Sequence, residues 1–173
     1  AATQALEQGQ EVVEVFAYMT EDPNGAEDSS TLTITVTGTN DQPVITSMAS
    51  DAMGTVTEVG TVVPGVSSAN GFLTASDVDA DATENWSING STNGTYGTIG
   101  IDATTGEWTY TLDNSRAATQ ALNDGDTATE TFTARVQDEH GAYSDQTITI
   151  TVNGSNDIPA GTGNATVILD EDD

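Results

Sequence analysis

The sequence repeats itself at a constant offset of 116 residues, so that residues 1–43 align without a gap to residues 117–159. The run Thr-Ile-Thr-Val, for example, stands at 33–36 and again at 149–152. A period of this length is far above the roughly 20–50 residues of solenoid and propeller repeats. The chain is therefore expected to belong to a tandem array whose unit is a whole domain.

The offset divides the 173 residues into three parts. Residues 1–43 are expected to be the C-terminal part of one repeat, residues 44–156 a complete repeat, and residues 157–173 the start of the next. The first part has room for about two or three strands, which cannot bury both faces of a sandwich by themselves. It either pairs with another element, such as the C-terminal tail or a neighbouring molecule, or is the remnant of a repeat that begins outside this chain. The sequence leaves these alternatives open.

Strands with one buried face are predicted where apolar and polar residues alternate, at 31–37, 107–112, 130–136 and 147–152. Shorter strands are expected near 44–48, 55–57, 84–89 and 95–101. The stretch 115–122 is expected to be a helical turn or a loop. About seven strands in about 110 residues describe an all-β, immunoglobulin-like antiparallel sandwich. Its core is expected to hold the aromatic residues Trp86, Trp108, Tyr110 and Phe132.

Acidic side chains dominate the charge. The chain has 28 Asp and Glu against two Lys and Arg, for a formal net charge of -26. Two carboxylates about 4 Å apart repel by roughly 4 kcal/mol at an effective dielectric of about 20. We therefore expect the folded chain to take up cations, although an acidic surface that serves only solubility is the alternative. Nucleic acid and direct membrane binding are not expected, because both require basic protein surface.

The chain has no cysteine, so metal ions rather than disulfides are expected to stabilise a secreted fold. No apolar run reaches the roughly 18 residues of a membrane span. The first residues, Ala1–Leu6, do not form a secretory signal. We therefore expect either a segment of a longer chain or a protein whose export signal lies elsewhere.

Several short motifs follow one another in order between residues 54 and 159. They are Gly54–Glu58, Leu73–Asp79, Tyr96–Ile99, Ile101–Tyr110, Asp138–Gly141 and the Gly-Ser-Asn-Asp-Ile-Pro run at 154–159. Together they resemble a VCBS repeat, a module of giant repeats-in-toxin (RTX) bacterial adhesins. More widely, the same residues are similar to cadherin-type sandwiches.

The resemblance implies calcium ions between consecutive domains, held by an Asn-Asp linker that ends in Pro, an Asp-x-Asp loop and an Asp-x-x-Gly loop. The matching parts of this chain are Asn40–Pro43, Asp77–Asp79 and Asp138–Gly141. Glu58 resembles an early glutamate ligand, and Asp113 resembles the acidic loop at the opposite pole. The resemblance also implies type I export from a Gram-negative cell, and a place on the cell surface or in a biofilm matrix.

The residues themselves favour calcium as the cofactor. Asp77, Asp79 and Asp81 alternate with small residues in one loop, and calcium binds through carboxylate and carbonyl oxygens. The loop is not an EF-hand, because Ala82 and Ile88 stand at its sixth and twelfth positions. A site assembled from separate loops is therefore predicted.

Two such sites are predicted, one at each pole. The first consists of Asn40, Asp41, Asp77, Asp79 and Asp138. The second consists of Glu58, Asp113, Asn156 and Asp157. Asp22 repeats Asp138, and its partner loops are expected to lie outside the chain.

These features predict a calcium-stabilised spacer that stiffens the tandem array of an adhesin, with neighbouring repeats as its partners. Self-association through the incomplete terminal segments is a further expectation. The alternative is a ligand-binding adhesin module that recognises a sugar, a peptide or a surface. Enzyme activity is not expected, because His140 is the single histidine and zinc and phosphate-loop motifs are absent from the sequence.

Overall fold

The structure is a computed structural model that describes residues 4–61 and 63–158. Its strands, in chain order, are β1 (Glu11–Glu21), β2 (Glu27–Thr37), β3 (Val44–Ile45), β4 (Met53–Thr57), β5 (Ser68–Phe72), β6 (Ala75–Ser76), β7 (Asn85–Ile88), β8 (Gly97–Ile101), β9 (Glu107–Leu112), β10 (Thr127–Gln137) and β11 (Tyr143–Asn153). A short 3₁₀ turn at Ala49–Ala52 precedes β4.

Strands β3 to β11 form a sandwich, which confirms the predicted all-β, immunoglobulin-like fold. One sheet has the order β4-β11-β10-β7 and the other the order β5-β9-β8, while β3 and β6 pair at the side. Seven of these nine strands are longer than two residues. All pairings are antiparallel except that of β4 with β11, which run parallel.

The core lies between the two sheets and contains the predicted aromatic residues. Trp86, Trp108, Tyr110 and Phe132 are all buried there. In β9 the alternation is strict, with Trp108, Tyr110 and Leu112 buried and the residues between them exposed. The polar groups of two of these rings have hydrogen-bond partners. Trp108 Nε1 donates to the Asp51 carbonyl at 2.9 Å, and the Tyr110 hydroxyl donates to Glu130.

Some elements differ from the sequence expectation. The long strands extend beyond the predicted ranges, while the strand expected near 44–48 is only Val44–Ile45. Strand β5 was not predicted, because Ser68–Phe72 has no alternating pattern. Residues 115–122 form turns, in which Gln120 N donates to the Arg116 carbonyl at 3.0 Å.

Strands β1 and β2 form a separate two-stranded sheet, here called the first hairpin. Its register is that of β10 and β11, here called the second hairpin, since Phe16 pairs with Leu32 just as Phe132 pairs with Ile148. The second hairpin buries one face against the core of the sandwich, whereas nearly every side chain of the first is exposed. A two-stranded sheet alone is marginally stable in water at best.

The sandwich has two poles. The proximal pole, where the chain arrives from the first hairpin, consists of residues 40–43, 77–84 and 138–142. The distal pole consists of residues 58–61, 113–122 and 153–157. Because β4 and β11 are parallel, Thr57 and Asn153 end side by side at the distal pole.

Candidate metal centre

The linker at the proximal pole binds both acidic loops directly. The Asn40 side-chain amide donates to Asp138 Oδ2 at 2.9 Å, and the Asp41 backbone N–H donates to Asp79 Oδ2 at 2.7 Å. The Asp79 N–H in turn donates to Asp77 Oδ1 at 3.0 Å. The five residues predicted from sequence for this pole therefore lie in one connected set of hydrogen bonds.

Two carboxylate oxygens in this set have no partner. Asp77 Oδ2 and Asp79 Oδ1 are buried, and no hydrogen-bond donor reaches either of them. Asp79 as a whole is only 7% exposed. A buried polar atom without a partner costs about 1–3 kcal/mol, and more when it is charged. Oxygens in this state fit a cation, which would supply the missing interaction.

Backbone geometry fixes the acidic loops. Asp138 Oδ1 accepts from the N–H groups of His140 and Ala142, each at 2.9 Å, while Gly141 has a positive φ of 93° that closes the turn. Asp81 has a φ of 58°, which non-glycine residues adopt rarely. The remaining carboxylate oxygen, Asp138 Oδ2, faces the linker.

Further acidic groups border the proximal pole. Burial, and then the negative charge of Asp77, raise the pKa of Glu84 above its usual value of 4.5. Glu139 accepts from the N–H and the hydroxyl of Thr83 at 2.8 and 2.9 Å, which ties the two loops together. These hydrogen bonds, led by the one from the Thr83 N–H, lower the pKa of Glu139.

Neither arginine of the chain offsets this charge, and the one histidine, His140, reaches only Glu139, at 3.8 Å. The chain contains only two Lys and Arg, and both are used elsewhere. Arg116 Nε lies 3.2 Å from Asp113 Oδ2, and Arg135 Nε lies 2.7 Å from Asp145 Oδ1. A cation that neutralises Asp77 and Asp79 would therefore come from solution.

The acidic side chains of the proximal pole do not converge on a single point. Within the described residues, no group of three or more His, Cys, Asp or Glu side chains is arranged closely enough to hold a metal ion. The donor set instead mixes carboxylates with the Asn40 amide and backbone groups, a mixture that calcium accepts because its coordination is flexible.

The distal pole is built around Glu58, which is fully buried. Both of its oxygens have partners: Gln120 Nε2 donates to Oε1 at 2.8 Å, and the Ser155 N–H donates to Oε2 at 3.3 Å. Burial, opposed by the Ser155 hydrogen bond and reinforced by the charge of Asp157, raises the pKa of Glu58. Asn156 contributes its carbonyl, which accepts from the Thr61 N–H at 3.0 Å.

Asp113, also predicted for this pole, directs its carboxylate elsewhere. Its Oδ1 accepts from the Ser115 hydroxyl and N–H at 2.6 and 3.0 Å, and its Oδ2 pairs with Arg116. The Ser115 hydroxyl, as the leading cause, and Arg116 lower the pKa of Asp113. The neighbouring Asn114 instead reaches the Glu58 region, where its Oδ1 accepts from the Val59 N–H at 2.9 Å.

Sequence reasoning missed Gln120, Ser155, Glu84 and Glu139 as members of the two poles. The repeat contained one usable signal, since Gln120 recurs at the 116-residue offset as Gln4. Side chains that act through a single hydrogen bond from an irregular loop have no other signature in one sequence.

The segment that precedes the first hairpin also contacts the proximal pole. The Ala80 N–H donates to the Ala5 carbonyl at 3.3 Å. Leu6 is buried, and its backbone and side chain lie directly against Gly38. In the sandwich, Leu122 lies against Gly154 in the same way.

Comparison with known proteins assigns the family. Residues 40–154 match the family model of the bacterial cadherin-like domain. The chain belongs to this family. The match begins at Asn40, so the cadherin-like module includes the linker residues that contact its acidic loops. No curated protein sequence matches the chain.

The solved structures that the chain matches include extracellular cadherin domains. The protocadherin GammaB4 extracellular domain is 17% identical, with a TM-score of 0.43, over 83% of this chain and 22% of that one. The protocadherin Gamma B7 extracellular cadherin domains 1-4 are 13% identical, with a TM-score of 0.43, over 86% of this chain and 48% of that one. The chain thus spans less than half the length of either.

Two further observations concern the described residues only. None of their helices has the length and hydropathy needed to cross a lipid bilayer. Their surface contains no pocket of ligand size.

Proposed function

We propose that this cadherin-like module is a calcium-stabilised spacer in the tandem array of a secreted or surface-exposed bacterial adhesin. The observation that carries the proposal is the pair of buried, unpartnered oxygens on Asp77 and Asp79, at the joint with the linker. Both arginines are paired elsewhere, which supports a cation from solution as the partner of these oxygens.

Calcium suits this joint better than other common cations. Asn40, Asp41, Asp77, Asp79 and Asp138 supply only oxygen ligands, which calcium accepts in numbers of six to eight and in flexible arrangements. Magnesium demands a nearly ideal octahedron and gives up its water reluctantly. When bound, the ion would supply positive charge shared between the linker and the two acidic loops. The linker would then be held against the sandwich, and the joint would be stiff.

The repeat architecture supports the spacer role. We propose that 1–43 is the end of a preceding repeat, 44–156 a complete repeat, and 157–173 the start of the next. Each joint would then place an Asn-Asp linker, such as Asn156–Asp157, against the acidic loops of the following repeat. Residues 159–173 lie outside the described residues. Type I export, a Gram-negative host and a biofilm location belong to the same proposal, as does the absence of catalysis.

Thermal unfolding in calcium, magnesium and chelator tests the metal. Extracellular calcium modules bind with dissociation constants of about 10⁻⁴–10⁻³ M, so 5 mM calcium should add about 1–2 kcal/mol per site. The melting midpoint should rise by about 3–10 °C, and magnesium should raise it much less. Equal midpoints in calcium and chelator would remove the basis of the proposal.

Joint stiffening is tested by spin-label distances, which the absence of cysteine makes straightforward. Labels at Thr33→Cys and Gly100→Cys span the joint, and a side chain at Gly100 would meet no atom within 4 Å. The distance distribution should narrow when calcium is added. The pair Thr149→Cys and Gly100→Cys lies within the sandwich and serves as the control, with no change expected.

The rival function is that of a ligand-binding adhesin module. An array of sugars and peptides, probed with the chain in calcium, separates the two. Saturable binding to one ligand, removed by a surface change that leaves the calcium response intact, would favour the rival.

A further inference from the structure

The outer face of the first hairpin carries an apolar stripe. Val13, Val15, Ala17 and Met19 project to the same side of β1, because alternate residues of a strand share a face. Val13, Val15 and Met19 are 55%, 61% and 60% exposed.

The second hairpin provides an internal comparison for this stripe. At the 116-residue offset, the stripe positions are occupied by Thr129, Thr131, Thr133 and Arg135. These residues lie on the side of the sheet opposite the core, since their neighbours Phe132, Ala134 and Val136 are the buried ones. A sandwich of this kind therefore does not need apolar residues at the stripe positions.

The inner face of the first hairpin has a separate explanation. Val12, Phe16 and Tyr18 align with Ala128, Phe132 and Ala134, which face the core of the sandwich. A preceding repeat would cover this inner face, but it would leave the stripe exposed to solvent.

Charge decides what can cover the stripe. The residues paired with it across the hairpin are Thr35, Thr33, Thr31 and Ser29, so the whole outer face between Glu11 and Glu21 is uncharged. On a chain with a net charge of -26, a basic partner would be drawn to almost any other surface. A second copy of the chain brings an identical uncharged face with it, so no carboxylates oppose one another where the two outer faces pack.

We propose that the stripe is a lateral docking surface for a second copy of this chain, with outer face against outer face. The stripe is about 20 Å long and the two-stranded face about 10 Å wide. The area is well below the roughly 800 Å² per partner of a standard interface. The contact is therefore weak and reversible, and it holds neighbouring arrays side by side only where they are concentrated.

Face-specific cross-linking tests the contact in the full chain, which has no cysteine of its own. Ala17→Cys places a thiol on the stripe, and Tyr18→Cys places one on the inner face of the same strand. Thr133→Cys occupies the stripe position of the second hairpin and is the matched control. With a short bis-maleimide at high protein concentration, Ala17→Cys should cross-link at least about tenfold faster than either, because association brings the thiols together.

Two further measurements complete the test. Replacing Val13, Val15 and Met19 by their second-hairpin counterparts, as V13T, V15T and M19R, should reduce cross-linking of Ala17→Cys to the control rate. Sodium chloride should speed the parent reaction, because it screens the acidic residues that flank the stripe. Equal rates at the three positions, or faster cross-linking at Tyr18→Cys, would overturn the proposal. Neither outcome depends on calcium binding at the proximal pole.

Discussion

The two poles of the sandwich differ in how the protein satisfies the oxygens of their buried acidic side chains. At the proximal pole, Asp77 and Asp79 each keep one buried oxygen without a donor. At the distal pole, the fully buried Glu58 receives a hydrogen bond on each oxygen, from Gln120 and from the Ser155 N–H. The same kind of group is therefore satisfied by the protein itself at one pole, and depends on the solvent at the other. A count of acidic residues cannot distinguish these two cases.

The largest expected effect is that of Glu58→Ala. The change removes the buried acceptor of the Ser155 N–H and one of the two acceptors of the Gln120 amide, which keeps the Asn114 carbonyl. It should therefore cost about 2–3 kcal/mol of unfolding free energy. Urea denaturation should give the same loss in calcium and in chelator. A loss seen only in calcium would mean that both poles depend on metal and would break the comparison.

Asp79→Asn should have a smaller effect that depends on calcium. In 5 mM calcium it should cost about 1–2 kcal/mol, the stabilisation that one occupied site adds at this calcium concentration. In chelator it should cost little or nothing, because the amide oxygen can still accept from the Asp41 N–H. Asp102→Asn is the control: Asp102 accepts from Thr104 and Thr105 in an exposed turn, so its effect should be equal in both buffers.

Gln120→Ala should cost about 1 kcal/mol, mainly the net value of the part-buried hydrogen bond to Glu58, because the second bond of the amide, to the Asn114 carbonyl, is exposed to water. The loss should again be independent of calcium, which would sharpen the distinction between the poles. The equivalent change Gln4→Ala removes an exposed side chain and should have no measurable effect on urea unfolding. Equal losses in the two variants would show that the contact with Glu58 contributes nothing.

The smallest expected effect is a pH dependence from Glu58. Its pKa in the folded chain is raised above 4.5, so between these two values the folded state holds a proton that the unfolded state has lost. Stability contributed by this group is therefore fully present below pH 4.5 and lost as the pH rises through the folded pKa. In chelator, the parent should gain stability relative to Glu58→Gln as the pH falls from 7 to 4.5. If the difference in unfolding free energy between the parent and Glu58→Gln did not change with pH, burial would not raise the pKa of Glu58.

Much of the fold could be predicted because the pattern is local. Alternation at 31–37, 130–136 and 147–152 predicted β2 and both strands of the second hairpin, and with the turns it predicted the fold class and the buried aromatic residues, whereas β1 was not predicted. Strand β5 escaped prediction because its identity depends on distant residues. Gly71, in the middle of β5, lies so close to the Trp108 ring that a side chain at that position would collide with it. The sequence of β5 alone does not show that it packs against Trp108.

The candidate sites follow the same division. The acidic loops could be predicted, since Asp77 and Asp79 alternate and Asp138 is repeated as Asp22. The partners of Glu58 could not be predicted, because Gln120 and Ser155 reach it only in the folded chain.

At the distal pole, the amide of Asn114 rather than the carboxylate of Asp113 faces the Glu58 region. Ser115 and Arg116 follow immediately in the chain and capture the carboxylate of Asp113. Whether calcium binds at either pole stays a prediction.

The parallel pairing of β4 with β11 determines how the sandwich responds to mechanical force. The chain enters the sandwich at one end and leaves it at the other, so tension between these two ends pulls β4 and β11 in opposite directions. Their hydrogen bonds, from Met53–Thr149 to Thr57–Asn153, are then loaded together in shear rather than opened one after another. The Glu58 N–H, which donates to the Asn153 carbonyl at 2.9 Å, extends the row by one bond. Rupture under tension must therefore break this whole row at once.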